Sequence, residues 1–174
     1  MRIAGGMWRS RRIESPADPR ARPTTDRVRE AWMNILADRL AGARVVDLFA
    51  GSGAMGLEAL SRGAAGCDFV ELYQNNLDAL GRNIEKLSAT GCRLFRADAL
   101  RFAAKLEPRA YDIAFADPPY TTGHASRIAA LFRERRFARI LGVEHEIHED
   151  VGEGEHRRYG STIVTFLEAP DPEP

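Results

Sequence analysis

The sequence predicts an α/β fold in which a mostly parallel sheet is covered by helices on both faces. Three observations carry that prediction. From Arg44 onward, short apolar runs alternate with runs of helical period, the pattern of parallel strands joined by crossover helices. The first apolar run leads into Gly51-Ser52-Gly53-Ala54-Met55-Gly56, a G-x-G-x-x-G turn that takes a chain tightly from strand into helix. Acids stand at the ends of successive runs, at Asp47, Glu71, Asp98 and Asp117, the edge where open α/β sheets bind ligands.

The elements follow in order. Gly5-Gly6 separates Ile3-Ala4 from Met7, Trp8 and Ile13, a hairpin signal. Residues 16–23, with Pro16, Pro19 and Pro23, form an irregular linker. Thr24 or Thr25 caps a helix reaching residue 40, with Val28, Ala31, Trp32, Ile35, Leu36 and Leu40 at helical spacing and Gly42 closing it. A buried strand at 45–49 is followed by a helix at 54–62, ended by Gly63. Then come a strand at 67–72, a helix at 75–89, a strand at 92–96 and a short helix through Arg101 and Phe102. A strand at 111–116, a helix at 125–137 and a strand at 140–144 complete the repeating pattern. Residues 157–159 lead into a last strand at 162–167, and the acidic, proline-containing tail 169–174 is expected to fray. The expected organisation is an N-terminal hairpin and linker over 1–23, one catalytic domain over 24–168 and the tail.

Composition sets limits. At 174 residues and 44% hydrophobic, the chain suits one domain with a sizeable core. Twenty-five basic residues against 25 acidic ones give no net charge, which excludes a wholesale basic nucleic-acid binder. The arginines are nevertheless clustered. Arg2, Arg9, Arg11, Arg12, Arg20, Arg22, Arg27 and Arg29 stand early, and Arg127 to Arg139 hold a second group. A basic face on a neutral protein is the expectation. Cys67 and Cys92 lack metal-type spacing and read as small buried apolar residues. His145, His148 and His156 lie among acids without zinc-ligand spacing and read as part of a surface hairpin, so no metal is expected. Without an apolar run of roughly 18 residues or a signal-peptide core, a cytoplasmic protein with no membrane partner is expected.

Two segments carry the chemistry. The glycine loop places free amides of a helix start near a ligand, which alone fits a dinucleotide as well. Asp47 tips the balance, because a carboxylate there would repel a pyrophosphate but attract an ammonium or sulfonium. Glu71, ending the second strand, suits ribose hydroxyls. Asp98 either caps the next helix or accepts a bond from an adenine amino group, with the Ala99 amide beside it for a ring nitrogen. The second segment is Asp117-Pro118-Pro119-Tyr120. Its prolines fix the backbone and remove two amide donors. The Asp117 carboxylate and the Pro118 carbonyl can then hold both hydrogens of an amino group, aiming its lone pair at a methyl donor. Tyr120 offers a face for an unstacked base. Together the segments point to methyl transfer from S-adenosylmethionine to an exocyclic amine, leaving S-adenosylhomocysteine. The polar helix start at Thr24, Thr25 and Asp26 is expected to cover the methionine part of that cofactor.

These residues resemble the bacterial 16S ribosomal RNA guanine-N2 methyltransferases. The resemblance runs over Arg2-Ile3-Ala4-Gly5-Gly6 with Trp8-Arg9, Arg22-Pro23-Thr24-Thr25-Asp26-Arg27-Val28-Arg29-Glu30, residues 46–63 and Asp117 to Tyr120. The second block is the most family-specific of these. The resemblance implies a class I methyltransferase fold, Rossmann-like with a seven-stranded, mostly parallel sheet and an N-terminal hairpin extension. It implies a donor site at Asp47, Phe49, Gly51, Ser52, Gly53, Glu71, Asp98 and Ala99, with Asp117 to Tyr120 holding the target amine. The implied substrate is 16S ribosomal RNA or the small-subunit particle, met by a monomer. Arg9, Arg11, Arg12 and Arg22 are the expected RNA contacts. Ser10 stands where the family tends to have glycine. The rivals are a DNA adenine-N6 methylase, a dinucleotide oxidoreductase and a non-catalytic RNA-binding or assembly factor of the same fold.

Overall fold

The computed structural model describes residues 1–15 and 24–174; the linker and Arg22 lie outside the described residues. Helix α1 (Asp26–Ile35) and the short α2 (Ala37–Leu40) precede β1 (Arg44–Leu48), α3 (Ala54–Ser61) and β2 (Gly66–Glu71). Next come α4 (Gln74–Leu87), β3 (Cys92–Arg96), α5 (Ala99–Ala104) and β4 (Tyr111–Ala116). The last elements are α6 (His124–Arg135), β5 (Ala138–Glu146), β6 (Glu155–Tyr159) and β7 (Thr162–Glu168). The seven strands form one sheet in the order β3-β2-β1-β4-β5-β7-β6. The first five run parallel; β7 is antiparallel to β5, and β6 to β7. The expected mostly parallel sheet is thus present. Its order reverses at β1, so the loops after β1 and β4 diverge at the carboxyl edge and leave a crevice between them.

Each face of the sheet buries its own core. On one side Trp32 and Met33 of α1, Leu57 of α3 and Leu80 of α4 pack on Phe69 and Phe115. Trp32 lies with ring centroids 5.7 Å from Phe115 and 6.0 Å from Phe166, which fastens α1 across the sheet centre. On the other side Leu100 of α5 and Ile128 and Phe132 of α6 cover Val46, Leu48, Ala114 and Leu141.

Three expectations change in detail. The helix expected to residue 40 breaks at Leu36, where the backbone leaves helical geometry (φ −94°, ψ 6°). The N-terminal arm is a wider loop than a two-residue hairpin. The Ile3 amide donates to the Arg11 carbonyl, the Ile13 amide to Met1, and the turn between is a 3₁₀ segment at Gly6–Trp8. Docking on α3 sets this shape, since the Trp8 amide donates to Ser61 Oγ, which donates to the Gly5 carbonyl. A Cβ at Gly6 would lie 1.9 Å from the Ser61 carbonyl oxygen. Ser10 adopts φ +68°, a left-handed conformation that favours glycine.

The third change concerns β5. It runs on through Glu144-His145-Glu146, paired in register with β7, so His145 is buried in the sheet and not on a surface hairpin. Polar side chains are tolerated there because each is satisfied. His145 shares hydrogen bonds with the Glu146 carbonyl and Thr165 Oγ1, and Thr165 Oγ1 also meets His156. Among the described residues no cluster suits a metal ion, and no helix is long and apolar enough to cross a membrane.

Candidate active site

The crevice is built first from the chain leaving β1. Phe49, Gly51 and Gly53 all take positive φ, at +59°, +56° and +87°. Phe49 in that region is strained, as residues at ligand sites often are, and its ring stacks on His124 with centroids 5.7 Å apart. The last glycine of the motif is needed for packing. A Cβ at Gly56 would stand 2.4 Å from Phe69 Cε1 and 2.6 Å from Cys67 Sγ, so only glycine lets α3 lie directly on β2.

The acids expected to meet the ligand also hold this loop. Asp47 Oδ2 accepts from the Gly56 amide at 2.9 Å, inside the first turn of α3. Glu71 accepts from the Gly51 amide at 2.7 Å and from the Tyr73 amide at 2.9 Å, bridging the loops after β1 and β2. The Ser52 carbonyl accepts from Asn83 of α4, and Asn83 Oδ1 accepts from the Glu14 amide, tying the N-terminal arm to the glycine loop. Asp98 caps α5: its Oδ1 accepts from the Arg101 amide at 2.9 Å, and Ala99 opens that helix.

The second wall is the Asp117-Pro118-Pro119-Tyr120 turn after β4. Thr24 Oγ1 donates to Asp117 Oδ2 and stands 3.1 Å from Glu144 Oε2. The Tyr120 hydroxyl donates to Glu144 Oε1 at 2.9 Å and lies 2.8 Å from Thr162 Oγ1. Four segments therefore converge: the approach to α1, the turn after β4, β5 and β7. Of the three polar residues at the helix start, only Thr24 reaches the acids. Thr25 caps α1 by accepting from the Val28 amide, and Asp26 pairs with Arg29 at 2.9 Å.

Burial dominates the electrostatics. It pushes Asp47 up to about 8, opposed by the Gly56 amide and reinforced by the charge of Glu71. Asp117 is pushed well above the carboxylate range, first by burial and then by Glu144, with the Thr24 bond opposing and Asp47 adding. Burial likewise raises Tyr120 to about 12. Acids raised in this way by burial in a crevice are candidates for a functional site, and a cationic ligand would favour their charged forms. Ser52 Oγ and His124 Nδ1 are buried without a hydrogen-bond partner among the described residues.

Sequence reasoning does not find Glu144 and Thr162. The one signal is a carboxylate closing an apolar strand, which says nothing of what lies across from it. Of the arginines expected to meet RNA, Arg9, Arg11 and Arg12 are exposed on the N-terminal arm, and Arg11 donates to the Lys86 carbonyl.

The family model described as conserved hypothetical protein 95 matches residues 1–167. Ribosomal RNA small subunit methyltransferase D of Escherichia coli is 44% identical over 123 residues, covering 71% of this chain and 62% of that one. The chain thus spans less than two thirds of that curated relative. The solved structure of yhhF from Escherichia coli superposes with a TM-score of 0.84 at 31% identity, covering 98% of this chain and 99% of that one. A Thermus thermophilus 16S rRNA N2 G1207 methyltransferase, solved with AdoMet and guanosine, shares the fold alone, with a TM-score of 0.68 at 20% identity over 86% of this chain and 45% of that one. The chain has the class I methyltransferase fold and belongs to the family described as conserved hypothetical protein 95, with ribosomal RNA small subunit methyltransferase D among its relatives.

Proposed function

We propose that this protein transfers a methyl group from S-adenosylmethionine to the exocyclic N2 amine of one guanine, G966, in 16S ribosomal RNA. The observation that carries the reading is the crevice itself, where the acid-led glycine loop faces Asp117 and Tyr120 with Asp47 close enough to bear on Asp117. The residues fit the cofactor. Asp47 would hold its methionine end, with Phe49, Gly51, Ser52, Gly53 and Thr24 to Asp26 beside it. Glu71 would take the ribose, and Asp98 with Ala99 the adenine. Bound there, S-adenosylmethionine supplies an electrophilic methyl on a positively charged sulfur, and S-adenosylhomocysteine is left.

The chain's own residues would do the rest. Asp117 and the Pro118 carbonyl accept the two amine hydrogens, which fixes the nitrogen lone pair in direction. Pro119 stiffens the turn. Tyr120, anchored through its hydroxyl, presents its ring to the base. The nitrogen proton leaves to Asp117 or to water. In this reading the protein acts in the cytoplasm, as a monomer, on the RNA or the small-subunit particle.

Tritium transfer from labelled S-adenosylmethionine to small-subunit particles from cells lacking this protein tests the proposal. Label should appear on N2 of that guanine. Label on adenine in DNA instead, or none in either nucleic acid, would reject it.

Arg9, Arg11, Arg12 and Arg22 are the proposed RNA contacts. Replacing Arg9, Arg11 and Arg12 together by alanine should weaken RNA binding and flatten its salt dependence, by about 0.7–0.9 in log–log slope for each phosphate no longer neutralised. Filter binding across a salt series measures this, and an unchanged slope would place the RNA elsewhere.

A further inference from the structure

The glycine loop is held from two sides: Glu71 accepts from the Gly51 amide, and Asn83 Nδ2 of α4 donates to the Ser52 carbonyl at 2.9 Å. Asn83 is fully buried, and its other bonds go to the N-terminal arm. Nδ2 also donates to the Glu14 carbonyl at 3.2 Å, and Oδ1 accepts from the Glu14 amide at 2.7 Å. A side-chain amide has two hydrogens and one carbonyl, so both donors are used. The orientation is fixed as well, because a flipped amide would turn its oxygen toward two carbonyls. Ser52 is buried too, so its carbonyl depends on a donor from within the fold. Residues 11–14 run along α4 beside Asn83: Arg11 donates to the Lys86 carbonyl, and Arg82 Nη2 stands 2.9 Å from Glu14 Oε2. The first half of the arm sits instead on α3, through Glu58 and Ser61. Among the described residues, Asn83 is the one side chain that hydrogen-bonds both the arm and the loop between β1 and α3. Phe49 of that loop, at positive φ, keeps its conformation only while its neighbours enforce it.

We propose that Asn83 is the positioning residue that couples the arm to the cofactor loop, so that RNA held on the arm and S-adenosylmethionine held in the crevice each tighten the binding of the other. The inference rests on the methyl-transfer reading for its two ligands, but the link between arm and loop is a property of the protein alone. With Glu14 seated, two bonds orient the Asn83 amide and its remaining hydrogen meets Ser52. With the arm off α4, the amide is free to turn and the Ser52 carbonyl loses its fixed donor. A ligand that favours the seated arm thus favours the loop shape that the cofactor meets. Linkage makes the effect equal in the other direction.

Two measurements on the full chain test this. In filter binding, saturating S-adenosylhomocysteine should tighten the grip of wild type on small-subunit particles from cells lacking this protein by at least about fivefold. In Asn83→Ala the same addition should change it by less than about twofold. Amide exchange followed by NMR reads the link directly. Without ligand, Asn83→Ala should speed exchange at the Gly53 amide, which donates to Ala50 in the loop, and at the Ile13 amide, which donates to Met1 in the arm. S-adenosylhomocysteine should slow the Ile13 amide in wild type and leave it unchanged in the variant. A residue that only stabilised the fold would lower Tm and leave this ligand response intact. Equal slowing of Ile13 in both proteins would route the coupling through Glu58 and Ser61 and overturn the proposal. An Ile13 amide in wild type that ignores the ligand would overturn it without any variant. Failure of wild type to bind S-adenosylhomocysteine would reject the methyl-transfer reading and leave the ligand-free exchange to decide this one, with faster exchange at only one of the two amides counting against it.

Discussion

Replacing Asp117 by alanine should reduce methyl transfer by at least about a thousandfold, equivalent to about 4 kcal/mol of transition-state stabilisation. The size follows from what Asp117 does in the proposed reaction. An exocyclic amine is a weak nucleophile whose lone pair is drawn into the ring, and its reactivity depends on how its hydrogens are held. Asp117 is the one side chain of the rigid turn after β4 that offers a carboxylate at the crevice. Its removal takes away orientation and charge together, and no neighbour replaces it, since Glu144 stands behind Thr24. Cofactor affinity should stay within a few-fold of wild type, because Asp47, Glu71 and the glycine loop are held by their own hydrogen bonds to Gly56, Gly51 and Tyr73. Asp117→Asn keeps a carbonyl acceptor without the charge and should retain more activity than alanine. Single-turnover transfer and calorimetric titration with S-adenosylmethionine measure the two halves. Wild-type turnover in the alanine variant would remove Asp117 from the chemistry, and an equal drop in both assays would make its role structural.

Much of this site is legible in the sequence because its parts are local. A glycine at positive φ, an acid at a strand end and two prolines in a row each impose their geometry on a few neighbouring residues, so the glycine loop and the turn after β4 stand where the pattern puts them. What is not legible depends on residues far apart in the chain. Glu144 comes 120 positions after Thr24 and 24 after Tyr120, and nothing local marks it as more than a polar strand end. The same applies to His145, which reads as surface among acids and is buried because β7 supplies Thr165. The wide N-terminal loop has a similar origin. Gly5-Gly6 alone favours a tight hairpin, and contact with Ser61 of α3 selects the broader one. The limits of the fold are therefore those of tertiary override, where partners across the sheet satisfy groups that local pattern assigns to solvent.

The block with the most family-specific sequence is only partly a functional one, and its structural half carries the second large effect. Arg29 and Glu58 are both fully buried, in α1 and α3, with Arg29 Nε 3.3 Å from Glu58 Oε2. Glu58 also accepts from Arg62 Nε at 3.1 Å and from the amides of Ala4 and Gly5, while Arg29 donates to the Arg2 carbonyl and to Asp26. One ion pair thus ties the N-terminal arm, α1 and α3 together, and each of these bonds is charge-assisted. Glu58→Ala would take from the buried Arg29 guanidinium one of its two carboxylates, leaving it Asp26 and the Arg2 carbonyl, and would leave the Ala4 and Gly5 amides without their acceptor. Removing one partner of a buried pair costs about 3–5 kcal/mol, which for a chain of this size corresponds to a fall in Tm of roughly 6–20 °C. Thermal unfolding of the two proteins side by side measures it. The double change of Arg29 to methionine and Glu58 to leucine should recover most of that stability, because it removes both charges and refills the space. It should still leave the arm loosened, since the Ala4 and Gly5 amides then have no acceptor, and faster proteolysis before Ile13 would report this. A Glu58→Ala protein as stable as wild type would mean that the charges are screened by water and that the arm is fastened by its other contacts, through Ile3, Ile13, Ser61 and Asn83.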